Sequence, residues 1–223
     1  MRALEKFSSV CVSGSGSPAR PLTLALPKGR LFDRALAYFA QRGLSVRFQD
    51  RELAAQDERG LLEVFIVKNS DLPVYVSHGI AGLGVCGTDV LCEAGGVFFE
   101  LFDFPFGGTR MCLAAREDFD CDAGLRRLTV ATKFPVFTRG YFHRRGIPVE
   151  IIKLNGSVEL APVLGLAPCI VDLVETGSTL KANRLGVVEE LENIKVKLIA
   201  NPAYYKVHYE AVDAFVAFLK ESS

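Results

Sequence analysis

The sequence predicts an α/β fold, and three features predict it. Short apolar runs of strand length alternate with segments whose apolar residues recur at helical spacing. The run Ile170, Val171, Leu173 and Val174 reads as a strand buried on both faces. Loops of glycine, hydroxyl and basic residues stand where such strands hand over to helices, the edge at which open α/β sheets bind ligands.

The elements follow in order. Leu22–Leu26 is a strand running into Pro27-Lys28-Gly29-Arg30, after which Leu31, Phe32, Ala35, Leu36 and Phe39 mark a helix ended by Gly43. Lys28 and Arg30 therefore flank a basic glycine turn at a strand end; the plainer reading is two solvated loop charges. Residues 46–60 are polar, with Arg51 in a hairpin or extended segment, and Leu61–Val67 is a strand. Lys68 precedes a helix over Val74–His78 with Ser70 or Asp71 as its N-cap. Ala81–Cys86 is a short buried strand, and Gly87-Thr88-Asp89 turns from it into a helix, where Asp89 complements the helix dipole. Phe98–Phe104 and Met111–Ala115 read as two strands around a loop, Pro105–Arg110, that crosses into another domain. The α/β rhythm then repeats: strand Leu128–Thr132, helix Phe134–Arg145, strand Val149–Leu154, helix Asn155–Leu166, the Cys169 strand, and the half-buried strand Val187–Ala200. Asn201-Pro202 caps and opens the last helical region, where Val212, Phe215, Val216 and Leu219 form one apolar face.

At 223 residues, 49% apolar and 23% charged, the chain has enough material for one large domain or two small ones. Lys plus Arg and Asp plus Glu both number 26, so a net charge of zero argues against nucleic-acid and anionic-membrane partners. Any phosphate site must be local. The six cysteines form no C-x-x-C pair, and several, lying in apolar runs, read as small core residues of a reduced, cytoplasmic protein. Residues 1–20 are Ser/Gly-rich and read as a flexible tail without a signal-peptide core. His78, His143 and His208 fall in separate elements, which points away from a metal centre or a histidine-based triad.

The richest chemistry follows the buried strand. Thr176, Gly177, Ser178 and Thr179 offer backbone N–H groups and three hydroxyls to one small volume, a cup for phosphate, although no P-loop lysine pattern is present. Asp172 and Glu175 stand upstream, where carboxylates hold ribose hydroxyls or share a magnesium ion with phosphates. Phosphate plus ribose means a phosphoribosyl group. Asn155, Gly156 and Ser157 make a second cluster of exposed amides suited to a pyrophosphate. For both clusters the alternative is ordinary helix capping by Thr176 or Ser178 and by Asn155.

The ordered set Leu24–Arg30, Asp71–Tyr75, Gly84–Leu91, Gly140–Phe142, Gly146–Pro162 and Ile170–Leu180 resembles the short-form ATP phosphoribosyltransferases of histidine biosynthesis. The resemblance implies two α/β lobes like type II periplasmic binding proteins, with the active site in the cleft between them. Lobe I would comprise 21–107 and 186–223, and lobe II 108–185. It implies that phosphoribosyl pyrophosphate sits on Thr176–Thr179 with Glu159, Asp172, Glu175 and Asn155–Ser157 around it. ATP would lie near Lys28, Gly29, Arg30, Lys68, Gly87 and Asp89. Lys28, Arg30 and Arg51 would stabilise the departing pyrophosphate, and Mg2+, held mostly by the substrate phosphates and touching Asp172, would be the cofactor. A regulatory subunit related to histidyl-tRNA synthetase and a homodimer within a hetero-oligomer are implied partners. Two positions depart from the family: Lys68 stands where arginine is usual, and Thr88 where lysine is usual. The rival readings are a solute-binding protein on the same scaffold and a phosphoribosyltransferase acting on another acceptor.

Overall fold

The structure, a computed structural model, describes residues 2–12, 20–119 and 128–221. The side chain of Cys11, the residues 13–19 of the expected tail, and Cys121 lie outside the described residues. The chain divides into two compact units, Met1–Gly107 with Val196–Ser223 and Gly108–Lys195.

In the first unit, β1 (Leu22–Pro27) is central, paired in parallel with β3 (Leu62–Val67) on one side and β4 (Leu83–Gly87) on the other. β2 (Ala54–Gln56) pairs antiparallel with β3, so the polar 46–60 segment contains one arm of a hairpin. Its turn is held by the buried Asp57 carboxylate, which accepts from the N–H groups of Arg59, Leu61 and Leu62. One face of the sheet is covered by α1 (Arg2–Val12), α2 (Arg30–Ala40) and α9 (Tyr209–Lys220); Leu24, Leu26, Phe39, Val212, Phe215 and Phe218 share that core. The other face carries α3 (Leu72–Ser77) and α4 (Thr88–Ala94), packed through Leu72, Val76 and Val90 onto Ala25, Cys86 and Ile199. Asn201, as expected, caps α8 (Pro202–Val207) by accepting from the N–H groups of Ala203 and Tyr204.

Residues 2–12 do not form the tail expected of them. α1 buries Leu4 and Phe7, and the Phe7 ring lies 5.4 Å from that of Phe215 and 6.2 Å from that of Phe218. Leu4, Phe7 and Val10 recur every third residue, enough for one narrow apolar stripe inside an otherwise polar stretch.

In the second unit, β6 (Leu128–Thr132) is paired in parallel with β7 (Val149–Lys153) and β8 (Cys169–Val174), and β8 is antiparallel to β5 (Phe99–Arg116). Side chains alternate as the pleat requires. Met111, Leu113, Cys169 and Val171 face α5 (Pro135–Arg144) with its Phe137 and Phe142, while Cys112, Ala114 and Ile170 join Val158, Ala161 and Leu180 on the opposite side. This explains the uninterrupted apolar run of β8.

Three further expectations are corrected. Pro105–Arg110 is no loop: β5 is one strand of 18 residues, with Gly107 at φ 73° where an added Cβ would meet Val196 at 3.0 Å and Leu31 at 3.1 Å. The return to the first unit comes after Lys195, not at residue 186, because β9 (Leu185–Ala200) is also one long strand whose first part belongs with the second unit. Neither Ser70 nor Asp71 caps α3 through its side chain; Ser70 donates to the Asp71 carboxylate instead. Cys86, Cys112 and Cys169 are buried as expected, whereas Cys92 is exposed.

Candidate active site

Three parallel strands of the first unit end at one edge. Beyond β1, the Lys28 N–H donates to the Val67 carbonyl at 2.9 Å, and Gly29 takes φ 100°, a conformation that favours glycine. The Gly29 carbonyl then accepts from Phe32 N–H at 2.9 Å and α2 starts at Arg30. Lys28, Gly29 and Arg30 are all exposed. Because Pro27 pairs with Val67, Lys68 follows beside Lys28. Arg51 stands in the turn three residues before β2. Arg51 has φ 64° and reaches Asp50 only at 3.8 Å in a fully solvated pair. Gly87 ends β4, and Asp89 lies in the first turn of α4, where burial pushes its carboxyl up, partly opposed by the Val90 N–H. One strand edge thus gathers Lys28, Gly29, Arg30, Lys68, Gly87 and Asp89, while Arg51 lies in the turn before β2.

The second unit has a matching edge, where β7, β6 and β8 end. The Leu154 N–H donates to the Thr132 carbonyl at 3.0 Å, and exposed Asn155, Gly156 and Ser157 follow, Ser157 at φ 45°. After β8 come Glu175 and Thr176–Thr179, anchored by buried Val174 and Leu180. Gly177 is left-handed at φ 76°, and the Thr176 and Ser178 hydroxyls are 3.1 Å apart. Neither caps α7 (Ser178–Ala182): Gly177 holds the cap position, with no side-chain bond. The hydroxyls of this loop are therefore not committed to ending a helix.

The helices at this edge are shorter than expected. α7 has 5 residues and α6 (Leu160–Val163) has 4, in place of a helix from Asn155 to Leu166. So few aligned peptides make a weak dipole. Anion affinity here rests on loop N–H groups and hydroxyls.

Asp172 is mostly buried, its side chain 18% exposed, beside Lys133 Nζ at 3.6 Å. Burial pushes its carboxyl pKa up; Lys133 and the Leu173 N–H, which donates to Oδ1 at 2.9 Å, oppose that shift, and Glu159 adds to it. Thr132 fastens the two strands here: its buried hydroxyl donates to the Val171 carbonyl at 2.7 Å and accepts from Phe134 N–H at 2.9 Å. Asp172 was expected beside a magnesium ion held mostly by the substrate's phosphates. Its neighbour is a lysine instead, and among the described residues no three His, Cys, Asp or Glu side chains are placed to hold a metal. These residues do not fit a protein-held magnesium centre.

Lys133 escaped the sequence reading, although it follows its strand as Lys28 follows β1. So did a hollow of about 350 Å³ lined by Thr109, Arg110, Val174, Glu175 and Asn193. Of its residues, Glu175 was expected in the site, but Thr109 and Arg110 were assigned to a crossing loop and Asn193 to a plain strand, whereas the β5–β8 register sets Arg110 against Val174, at the root of the hydroxyl loop. There the Thr109 hydroxyl donates to the Val174 carbonyl at 3.0 Å, and Arg110 is ion-paired with Glu190.

The family described as HisG, ATP phosphoribosyltransferase, matches residues 68–221. An ATP phosphoribosyltransferase of Thermoanaerobacter sp. strain X514 is 41% identical over 203 residues, covering 90% of this chain and 95% of the relative. This chain belongs to the ATP phosphoribosyltransferase family. As an ATP phosphoribosyltransferase it is a pentosyl-transferring enzyme and catalyses the first step of histidine biosynthesis. The Chromobacterium violaceum ATP phosphoribosyltransferase is 42% identical, covering 87% of this chain and 96% of the relative. Among solved structures, the ATP phosphoribosyl transferase (HisG:HisZ) complex from Thermotoga maritima matches with a TM-score of 0.77 and 37% identity, covering 89% of this chain and 96% of that one. The periplasmic aliphatic sulphonate binding protein SsuA of Escherichia coli matches at 12% identity with a TM-score of 0.58, covering 90% of this chain and 71% of that one, which shows the two-lobed type II fold alone. The expected fold class is the observed one.

Proposed function

We propose that this ATP phosphoribosyltransferase joins C1′ of phosphoribosyl pyrophosphate to N1 of ATP, giving N1-(5-phosphoribosyl)-ATP and pyrophosphate. The observation that carries this reading is the contrast between the two strand edges: a hydroxyl and amide loop backed by Asp172 on one, and a cluster of exposed cations on the other. The first suits a ribose 5-phosphate, with Thr176, Gly177, Ser178 and Thr179 on the phosphate, Asp172 and Glu159 on the ribose hydroxyls, and Glu175 and Asn155–Ser157 alongside. The second suits polyphosphate, with Lys28, Gly29, Arg30, Lys68, Gly87 and Asp89 on the ATP side and Arg51 near the leaving group.

In the reaction the bond from C1′ to the pyrophosphate oxygen breaks with both electrons leaving on oxygen, while the N1 lone pair forms the new bond. The ribose becomes cation-like and the leaving group gains charge. Preorganised cations are worth most at that point, and Lys28, Arg30 and Arg51 supply them. Holding two polyphosphates in register supplies much of the remainder. No covalent nucleophile is required. Magnesium enters as the counter-ion of the substrates' phosphates, where it shields their charge.

A HisZ-type regulatory subunit is the proposed partner, on the strength of the Thermotoga maritima complex, with a homodimer of this chain inside the hetero-oligomer. No helix among the described residues is long and apolar enough to cross a membrane, and the proposed location is the cytoplasm. The test is absorbance of N1-ribosylated adenine, with magnesium, ATP, phosphoribosyl pyrophosphate and a pyrophosphatase, with and without the synthetase-like partner. Growth of the band supports the reading. Silence in both reactions, with no ATP binding by calorimetry, overturns it in favour of a solute-binding role.

A further inference from the structure

The phosphoribosyl edge carries a charge problem that its acidic residues make worse. Asp172, Glu159 and Glu175 all stand near a loop proposed to receive a highly anionic substrate, and the loop 175–179 contains no basic residue. Exposed Lys153 ends β7 at this edge, and the cation set beside Asp172 is Lys133. It directly follows β6, whose last residue Thr132 is bonded through its hydroxyl to β8, so the lysine backbone is fixed against the strand that carries Asp172. It also stands at the positive end of α5, a helix of 10 residues, where a lysine is electrostatically unfavourable and an anion is favoured. Its contact with Asp172, at 3.6 Å, is longer than a hydrogen-bonded ion pair, and the lysine side chain remains 38% exposed. A loosely paired ammonium beside a mostly buried carboxylate is able to turn toward an arriving phosphate without leaving its partner.

We infer that Lys133 is a positioning residue for phosphoribosyl pyrophosphate: it neutralises Asp172 in the free chain and supplies positive charge to the phosphoribosyl subsite when substrate binds. Asp172 accordingly acts as an acceptor for ribose hydroxyls, with the lysine in the place that the sequence reading gave to a metal. This rests on the reading of the Thr176–Thr179 edge as the phosphoribosyl subsite.

The test compares wild type with Lys133→Met, Lys133→Arg, Asp172→Asn and the Lys133→Met/Asp172→Asn double variant, each checked for folding by circular dichroism. Binding of magnesium phosphoribosyl pyrophosphate is measured by calorimetry, and both KM values by the absorbance assay. Lys133→Met is expected to weaken phosphoribosyl pyrophosphate binding about tenfold or more and to leave the KM for ATP within about twofold, as loss of one charged hydrogen bond implies. Lys133→Arg should recover part of the loss, and the double variant should lose less than the product of the single losses. Unchanged phosphoribosyl pyrophosphate binding in folded Lys133→Met overturns the inference and leaves the subsite intact. Equal loss for both substrates also overturns it, since that is the mark of a structural role. If the wild-type chain itself fails to bind magnesium phosphoribosyl pyrophosphate, the subsite and the inference fall together. Binding without turnover sinks the proposed reaction alone.

Discussion

The two strand edges are built alike and charged oppositely. Each collects the carboxyl ends of three parallel strands, each sends a lysine out immediately after its central strand, and each keeps one buried aspartate whose carboxyl is pushed up by burial. The first edge carries exposed Lys28, Arg30 and Lys68; the second carries Glu159, Glu175 and three hydroxyls, with Lys133 beside Asp172 and Lys153 at the end of β7 as its cations. The shared architecture says where ligands go. On the proposed reading, the difference in charge assigns the ligands: a polyphosphate that needs cations to one edge, and a sugar whose hydroxyls need acceptors to the other.

That comparison is sharpened most by removing a cation from the first edge. Lys28→Ala should lower kcat/KM by about 10²–10³-fold, the usual cost of one preorganised donor at developing charge. Steady-state kinetics on both substrates check it, and a fall confined to the KM for phosphoribosyl pyrophosphate would break the assignment of edges. Thr179→Ala, on the second edge, should raise the KM for phosphoribosyl pyrophosphate about tenfold with the KM for ATP little changed, in keeping with one lost bond to a charged group. The smallest effect concerns stability. Folding raises the Asp172 pKa above its ordinary value of 3.8, so its favourable contribution is present in full below that pH and is lost as pH rises through the folded value. Asp172→Asn should therefore raise the melting temperature at pH 7 by a few degrees, with the gain fading toward pH 4, even as it harms turnover. Thermal unfolding at the two pH values tests this, and Asp89→Asn should show the same sign.

Much of this arrangement was legible because local chemistry and topology agree. The basic glycine turn at Lys28–Arg30 and the hydroxyl loop at Thr176–Thr179 both sit one step beyond apolar runs, and parallel pairing then fixes them to an edge. What stayed hidden depended on pairing partners. Pro105, Gly107 and Gly108 look like a loop, yet β5 runs through them because a neighbouring strand supplies the hydrogen bonds and Gly107 absorbs the positive φ. Lys133 looked like a spacer before a helix until the register brought Asp172 beside it. α1 was overlooked because three apolar side chains among serines form a helix only when a surface such as Phe215 and Phe218 is there to receive them.

The clasp of Phe7 against Phe215 and Phe218 bears on the order in which the chain takes shape. Gly108–Lys195 is one continuous stretch, so that unit has all its parts as soon as Lys195 has been synthesised. The other unit is assembled from two stretches on either side of it, and its core needs α9, which is synthesised after the whole of Gly108–Lys195. During synthesis, β1, β3 and α2 must therefore wait with an apolar face uncovered, and α1, made first, has no surface to fold against until Phe215 and Phe218 follow.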